Sequence, residues 1–236
     1  MITTLKEQAR WKVIRTKLNK NYHFSTFWED AIQLFHERID AKYFAPIKAI
    51  IGKRTLKGEG FAIVTVQCAM IEMFAAFRSG LIFNHDRANK ASKYEYHKSQ
   101  VLFTDFLKTA PLFENHFFSR NANGVCLTDY PFNAANFYSD VRCGLMHEAR
   151  TKGNWHISAA PRGTSVKTAK QFIIFREGKI KLLRMVLHYR LLNYLTAYQA
   201  ELRTQNRNGE ILRKKFARKM DHLFDFAPDQ LYDWWN

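Results

Sequence analysis

Residues 134–150 read AANFYSDVRCGLMHEAR, and the spacing inside this stretch decides how the chain is read. At about 100° per residue, the advance of a 3.6-residue turn, Phe137, Tyr138, Val141 and Leu145 fall on one side. That side predicts the core-facing stripe of a helix running to about Arg150 and opened by Asn133, whose short polar side chain suits an N-cap. The other side gathers Ala135, Ser139, Arg142, Cys143, Met146 and His147. An ordinary solvent face carries several Lys and Glu. This one carries a single guanidinium and a single imidazole among small and apolar groups, so it reads as a surface prepared for a partner. Gly144 costs about 1 kcal/mol of helix propensity against Ala, so its place inside the helix predicts close packing, with another backbone as the candidate neighbour.

Outward from that helix the chain is mostly helical. Residues 3–20 are polar and basic and suit a short helix or arm. Thr26 and Glu29 have the spacing of a capping box, and the helix they open should end near Pro46. Residues 61–77 place Ile63, Val66, Met70, Met73, Phe74 and Phe77 at helical spacing. Residues 80–98 read as an exposed connection. Ser99 can cap a helix that breaks near Pro111 and resumes to residue 118, and 119–132 read as a loop. Two strand candidates follow, 155–158 and 171–175, before a long helix from about Lys179 to Arg203. A basic helix and an aromatic tail close the sequence.

Composition bounds what such a chain does. Of 236 residues, 47% are hydrophobic and 15% aromatic, with 20 Phe, which excludes a chain too polar to bury a core. Ten Gly and five Pro argue against a loop-dominated design. Lys and Arg total 37 against 21 Asp and Glu, a net charge of +16 that attracts polyanions, nucleic acid first. Cys68, Cys126 and Cys143 form no C-x-x-C pair, so neither a disulfide framework nor a zinc ribbon is expected. His36-Glu37 and His147-Glu148 begin like H-E-x-x-H, but Asp40 and Thr151 stand at the fifth positions. Gly52-Lys53-Arg54-Thr55 looks like the end of a P-loop without its upstream glycine. No metal and no cofactor are therefore expected. The N-terminal stretch has no apolar signal core, and 61–77 is short and holds Gln67 and Glu72. It reads as a buried helix, and the expected setting is cytoplasmic, away from membranes.

The chemistry converges on Arg142 and His147. A guanidinium presents a planar, permanently charged fork to phosphate oxygens. An imidazole near its ordinary pKa of about 6.5 passes protons at neutral pH. Two copies packed face to face would bring two of each into one cleft, an arrangement suited to cutting RNA through its own 2′-hydroxyl. Asp140, Cys143, Glu148 and Glu72 are the supporting candidates. Glu72, alone in an apolar helix, either pairs with a buried Arg or reaches the motif helix. Lys53, Arg54 and Lys57, with Arg213, Lys214, Lys215, Arg218 and Lys219 near the C-terminus, are candidate RNA contacts or a solvated charged face. The bland alternative for the central pair is an interface Arg and a His that caps a helix C-terminus.

Arg142-Cys143-Gly144-Leu145-Met146-His147 resembles the R-x4-H motif of HEPN-domain ribonucleases, and the order of helices over 61–203 is similar too. The resemblance implies a mainly α fold: a HEPN-like antiparallel helical bundle, with a small β-hairpin or loop insertion before the long helix. It divides the chain into a helical extension (1–60), the HEPN-like domain (61–203) and a basic helix with its tail (204–236). It implies a metal-independent endoribonuclease of bacterial defence or toxin–antitoxin type, acting as a homodimer on RNA, with a regulatory or antitoxin protein as a further partner. Arg142 would bind the scissile phosphate and His147 would move a proton, leaving a 2′,3′-cyclic phosphate. The family often has Asn, Asp or His after the Arg, where this chain has Cys143. The tyrosine that adenylylated toxins carry two positions after the His is Ala149 here. Two other readings stay open: a non-catalytic HEPN-like module binding RNA or protein, and a basic helical interaction protein unrelated to RNA.

Overall fold

The protein is described by a computed structural model covering residues 2–18, 23–53, 58–86, 93–117, 132–160, 163 and 165–236. The elements run α1 (Ile2–Lys17), α2 (Thr26–Ile39), a π-helical stretch (Asp40–Phe44), α3 (Ala45–Lys53), α4 (Glu59–Ser79), β1 (Ile82–Phe83), β2 (Glu95–Tyr96) and α5 (Ser99–Thr109). They continue with α6 (Ala134–Asn136), a second π-helical stretch (Phe137–Cys143), α7 (Gly144–Glu148), β3 (Trp155–Ser158), β4 (Ile173–Arg176), β5 (Lys179–Leu183), α8 (Arg184–Arg203) and α9 (Arg207–Leu223). Helix dominates, as the apolar spacing predicts. The residues form two compact units, with boundaries after residues 44, 73, 97 and 194.

The first unit holds residues 1–44, 74–97 and 195–236. Phe35, Phe77, Tyr198 and Phe216 form its aromatic centre, with Phe35 and Phe77 ring centroids 4.5 Å apart. Beside it Asp221, fully buried on α9, collects five donors: the Trp11 indole at 2.9 Å, Arg15 at 2.7 and 3.2 Å, and the Trp234 and Trp235 indoles at 2.8 and 2.9 Å. A buried carboxylate survives only when charge and lone pairs are answered, and here both are. α1 and the C-terminal residues are thus pinned to one atom pair on α9.

The second unit holds residues 45–73 and 98–194. Phe103, Phe106, Phe113, Phe117, Phe132, Phe137, Trp155, Phe172 and Tyr194 interlock there, chiefly edge to face, as ring quadrupoles prefer. The sheet order is β3-β5-β4, with β3 parallel and β4 antiparallel to β5. Trp155, Ile173, Ile180 and Leu182 from its three strands are buried. The β4–β5 pair is a hairpin turned at Glu177 and Gly178, both in the left-handed region (φ 53° and 69°), as a two-residue turn of the strand-matching hand requires.

Several local expectations change. The long helix starts at Arg184, because 179–183 pair as β5. Ser25 stands at the N-cap of α2 without a side-chain bond, and Glu29 instead pairs with Arg203, so no capping box forms. Ser99 is the first residue of α5, not its cap. The chain stays helical past Pro46: the π-helical stretch ends at Phe44, and Pro46 lies two residues beyond it in α3. Residues 80–98 contain the short parallel β1–β2 ladder. Residues 114–116 form a 3₁₀ turn, and most of the expected 119–132 loop, Cys126 included, lies outside the described residues. α4 is long and apolar enough to cross a membrane by length and composition, and 56% of its most apolar window is buried within the fold.

Candidate active site

The motif helix opens as expected. Asn133 caps it, its side chain accepting from the Asn136 amide at 2.9 Å. From Phe137 to Cys143 the helix then widens to π geometry before Gly144–Glu148 returns to α. The two faces survive this change. Phe137, Val141 and Leu145 are buried and Tyr138 is half-buried. Ala135, Ser139, Met146 and His147 are exposed, with Arg142 and Cys143 half-buried between.

The close approach at Gly144 comes from the chain itself. The helix ends at Ala149 in the left-handed region, and the amides of Ala149 and Arg150 both donate to the Gly144 carbonyl. A Cβ on Gly144 would overlap the Arg150 carbonyl oxygen. The glycine therefore accommodates the returning turn, whose own backbone is the close neighbour. Two residues on, the Lys152 amide reaches the Asp140 carbonyl at 2.9 Å.

Arg142 points to α4. Its Nη2 lies 3.1 Å from Glu72, both side chains about one-fifth exposed, and its guanidinium sits 5.4 Å from the Tyr138 ring centroid. Burial works against the charged guanidinium, but Glu72, Tyr138 and Cys143 outweigh it and hold its pKa above the ordinary value. Tyr138 is pushed up, first by burial, with Cys143 hydrogen-bonded to its phenol. Beneath them the buried Cys68 thiol is pushed up to about 12, again chiefly by burial.

Of the supporting candidates, Glu72 is brought to Arg142. Cys143 joins the same cluster through Tyr138. Asp140 accepts from Ser139 at 2.8 Å, and Glu148, exposed, is held below the usual carboxylate range by Lys152 and then Arg150. Both thus serve the helix and its return turn.

The basic candidates divide. Arg213 is fully buried and donates to the Leu202 and Thr204 carbonyls at 2.6 and 2.8 Å, closing the end of α8. Arg218, also buried, donates to the Trp234 and Gly80 carbonyls at 2.6 and 3.1 Å and stacks on Tyr94 at 3.4 Å. Their guanidiniums answer backbone oxygens, which corrects the expectation that these two arginines face RNA. Lys214, Lys215 and Lys219 are half-buried on α9, and burial pushes Lys219 down to about 8. Lys53 ends α3, while Arg54 and Lys57 lie outside the described residues.

Sequence reasoning placed Tyr138 in the core and missed it as the aromatic partner of Arg142. The four-residue separation of the two was the available signal. It also missed a second stripe on α4, where Ala62, Thr65, Val66, Ala69, Glu72 and Met73 recur at helical spacing and stay half-buried or exposed. This stripe and the motif face meet at the Glu72–Arg142 pair. Among the described residues no cluster of His, Cys, Asp or Glu could hold a metal ion. The chain matches no protein-family model, no curated protein and no solved structure.

Proposed function

We propose that the protein is a HEPN-type endoribonuclease whose site is completed by a second copy across the motif face. The observation that carries this reading is the arrangement of Arg142 and His147. A guanidinium is anchored through one nitrogen to Glu72, and an exposed imidazole follows on a helix side without Lys or Glu neighbours. A guanidinium has five N–H donors, so an anchor at one nitrogen leaves others for phosphate oxygens. His147 removes the proton from a ribose 2′-hydroxyl or returns one to the leaving 5′-oxygen. The 2′-oxygen bonds to phosphorus as the P–O5′ bond breaks, giving a 2′,3′-cyclic phosphate and a 5′-hydroxyl. Two copies would supply one imidazole for each transfer. The half-exposed apolar stripe on α4, with Met146 51% exposed, supports a subunit seam, and the +16 charge supports an RNA substrate.

Labelled RNA incubated with the protein in EDTA tests the reading. Cleavage to cyclic-phosphate ends is expected, falling at least ~100-fold in Arg142→Ala and His147→Ala, the scale of a lost acid–base group. Cleavage that ignores both substitutions rejects the assignment. Light scattering of wild type and Met146→Glu tests the seam: a dimer that the new charge dissociates is expected.

One observation favours a second reading. Cys143 takes the position after the Arg, and its side chain is engaged with Tyr138. A non-catalytic HEPN-like module would show salt-sensitive RNA or protein binding without cleavage.

A further inference from the structure

Val186, Arg190 and Asn193 follow one another at four- and three-residue spacing, so they share one face of α8. Within the second unit, residues 166–170 lie against that face. Their turn is closed by the Thr168 and Ala169 amides, which both donate to the Ser165 carbonyl, at 3.2 and 2.9 Å. Arg190 pins the turn to the helix: its Nη2 donates to the Ala169 and Lys170 carbonyls at 3.1 and 2.7 Å. Between turn and helix lies a cleft of about 140 Å³, with buried Val186 in its wall and Lys167, Thr168, Lys170, Arg190 and Asn193 around it.

The lining has one sign of charge. Two ammoniums and a guanidinium contribute to it, and among the described residues no Asp or Glu does. Nor, among the described residues, does a carboxylate pair with Arg190, Lys167 or Lys170. Arg190 is half-buried, and burial pulls its pKa below the ordinary value with no carboxylate to hold it up. It keeps its charge nonetheless, as guanidiniums in proteins do. Its field reaches His116, which burial and then Arg190 push down to about 4, so that imidazole is neutral at neutral pH. Arg190 also has donors to spare. Its Nη2 meets the two carbonyls, while Nε and Nη1 make no hydrogen bond among the described residues. Lys167 is held near the helix, its ammonium 5.9 Å from the Tyr189 ring centroid.

Size and charge together select the occupant. The cleft holds the volume of several waters at about 30 Å³ each, but falls short of the roughly 300–1,000 Å³ that encloses a drug-sized molecule. A tetrahedral anion fits such a space, with any organic substituent left outside. A guanidinium edge matches two oxygens of a phosphate, and the two lysines answer its further charge. We infer that this cleft binds a phosphate group, free or esterified in a nucleic-acid strand, on the Nε–Nη1 edge of Arg190 with Lys167 and Lys170, while Thr168 and Asn193 donate to its remaining oxygens. The site contains neither Arg142 nor His147, so it stands or falls apart from the ribonuclease reading.

Calorimetric titration of the full chain with inorganic phosphate and with a short single-stranded DNA, which lacks the 2′-hydroxyl needed for the proposed cleavage, distinguishes the two sources. Saturable binding is expected. The paired substitution Lys167→Gln and Lys170→Gln should weaken it about tenfold or more, the scale of a charge-assisted hydrogen bond. Asn193→Asp should do the same by placing a carboxylate in the cleft. Lys12→Gln with Lys108→Gln removes equal charge from exposed positions outside the lining and should leave binding unchanged. Thermal melts matching wild type show that the variants are folded. Phosphate binding lost in the cleft variants alone supports a free anion as the ligand. Strand binding without phosphate binding, lost in the same variants, supports a backbone phosphate. The proposal is overturned if neither probe binds, if both cleft variants bind as wild type does, or if the control pair loses as much as they do.

Discussion

Glu72 shows how one side chain ties a candidate site to the packing of the fold. A carboxylate on an apolar helix has to find a cation, and Arg142 meets it across a gap mostly closed to water. Glu72→Gln keeps the shape and removes the charge. A guanidinium left half-buried against a neutral amide destabilises by about 1–3 kcal/mol, read as a lower urea midpoint. The freed Arg142 also loses its fixed direction. Under the proposed function, RNA cleavage should fall in Glu72→Gln even at temperatures where the variant is fully folded. An unchanged rate would separate the pair from the chemistry and leave it a purely structural contact.

At the scale of an element, the motif helix is an α–π–α composite whose end is shaped by Gly144. On a solvent-exposed helix, Gly→Ala adds about 1 kcal/mol of stability. Here the added methyl would meet the Arg150 carbonyl oxygen, and relief requires moving the turn that also carries the Lys152–Asp140 hydrogen bond. Gly144→Ala should therefore destabilise by about 1–3 kcal/mol, as overpacking does. Amide exchange should speed up at Arg150 and Lys152 before it does elsewhere. A stabilised variant would show that the turn yields freely. The wider π stretch matters as well: seven residues pass with fewer turns than an α-helix makes, yet Phe137, Val141 and Leu145 remain inside.

Across the whole molecule, three histidines held below their ordinary pKa should shape the response to acid, and His188 is the buried one. Burial and Arg190 push His116 down to about 4, and burial lowers His188 and, with Lys219, His222. In the unfolded chain these groups bind a proton near pH 6.5. Between about 6.5 and 4 the unfolded state therefore holds more protons than the folded one. Stability should be full above that window and fall as the pH drops through it. Urea melts from neutral pH to about pH 4 should show this slope. His116→Phe, which keeps a ring against Phe172, should flatten it. An identical slope in the variant would assign the acid sensitivity to other groups.

The periodicity of apolar residues determined most helices, because burial of a stripe is written locally every three or four positions. It also marked the Asn133 cap, the two faces of the motif helix, and Glu72 as a carboxylate needing a partner. The resemblance to HEPN ribonucleases was carried by two residues and their spacing. Tertiary structure decided the rest. Residues 179–183 became a strand because β3 and β4 offered backbone partners on both sides, which no local propensity encodes. Pro46 did not stop the helix, which passes through a π-helical stretch just before it. Arg213 and Arg218 look in sequence like any basic run, and only packing turned them inward to carbonyls. A sequence records which groups are charged. Desolvation and partners, which decide whether that charge meets solvent, backbone or ligand, exist only once distant segments come together.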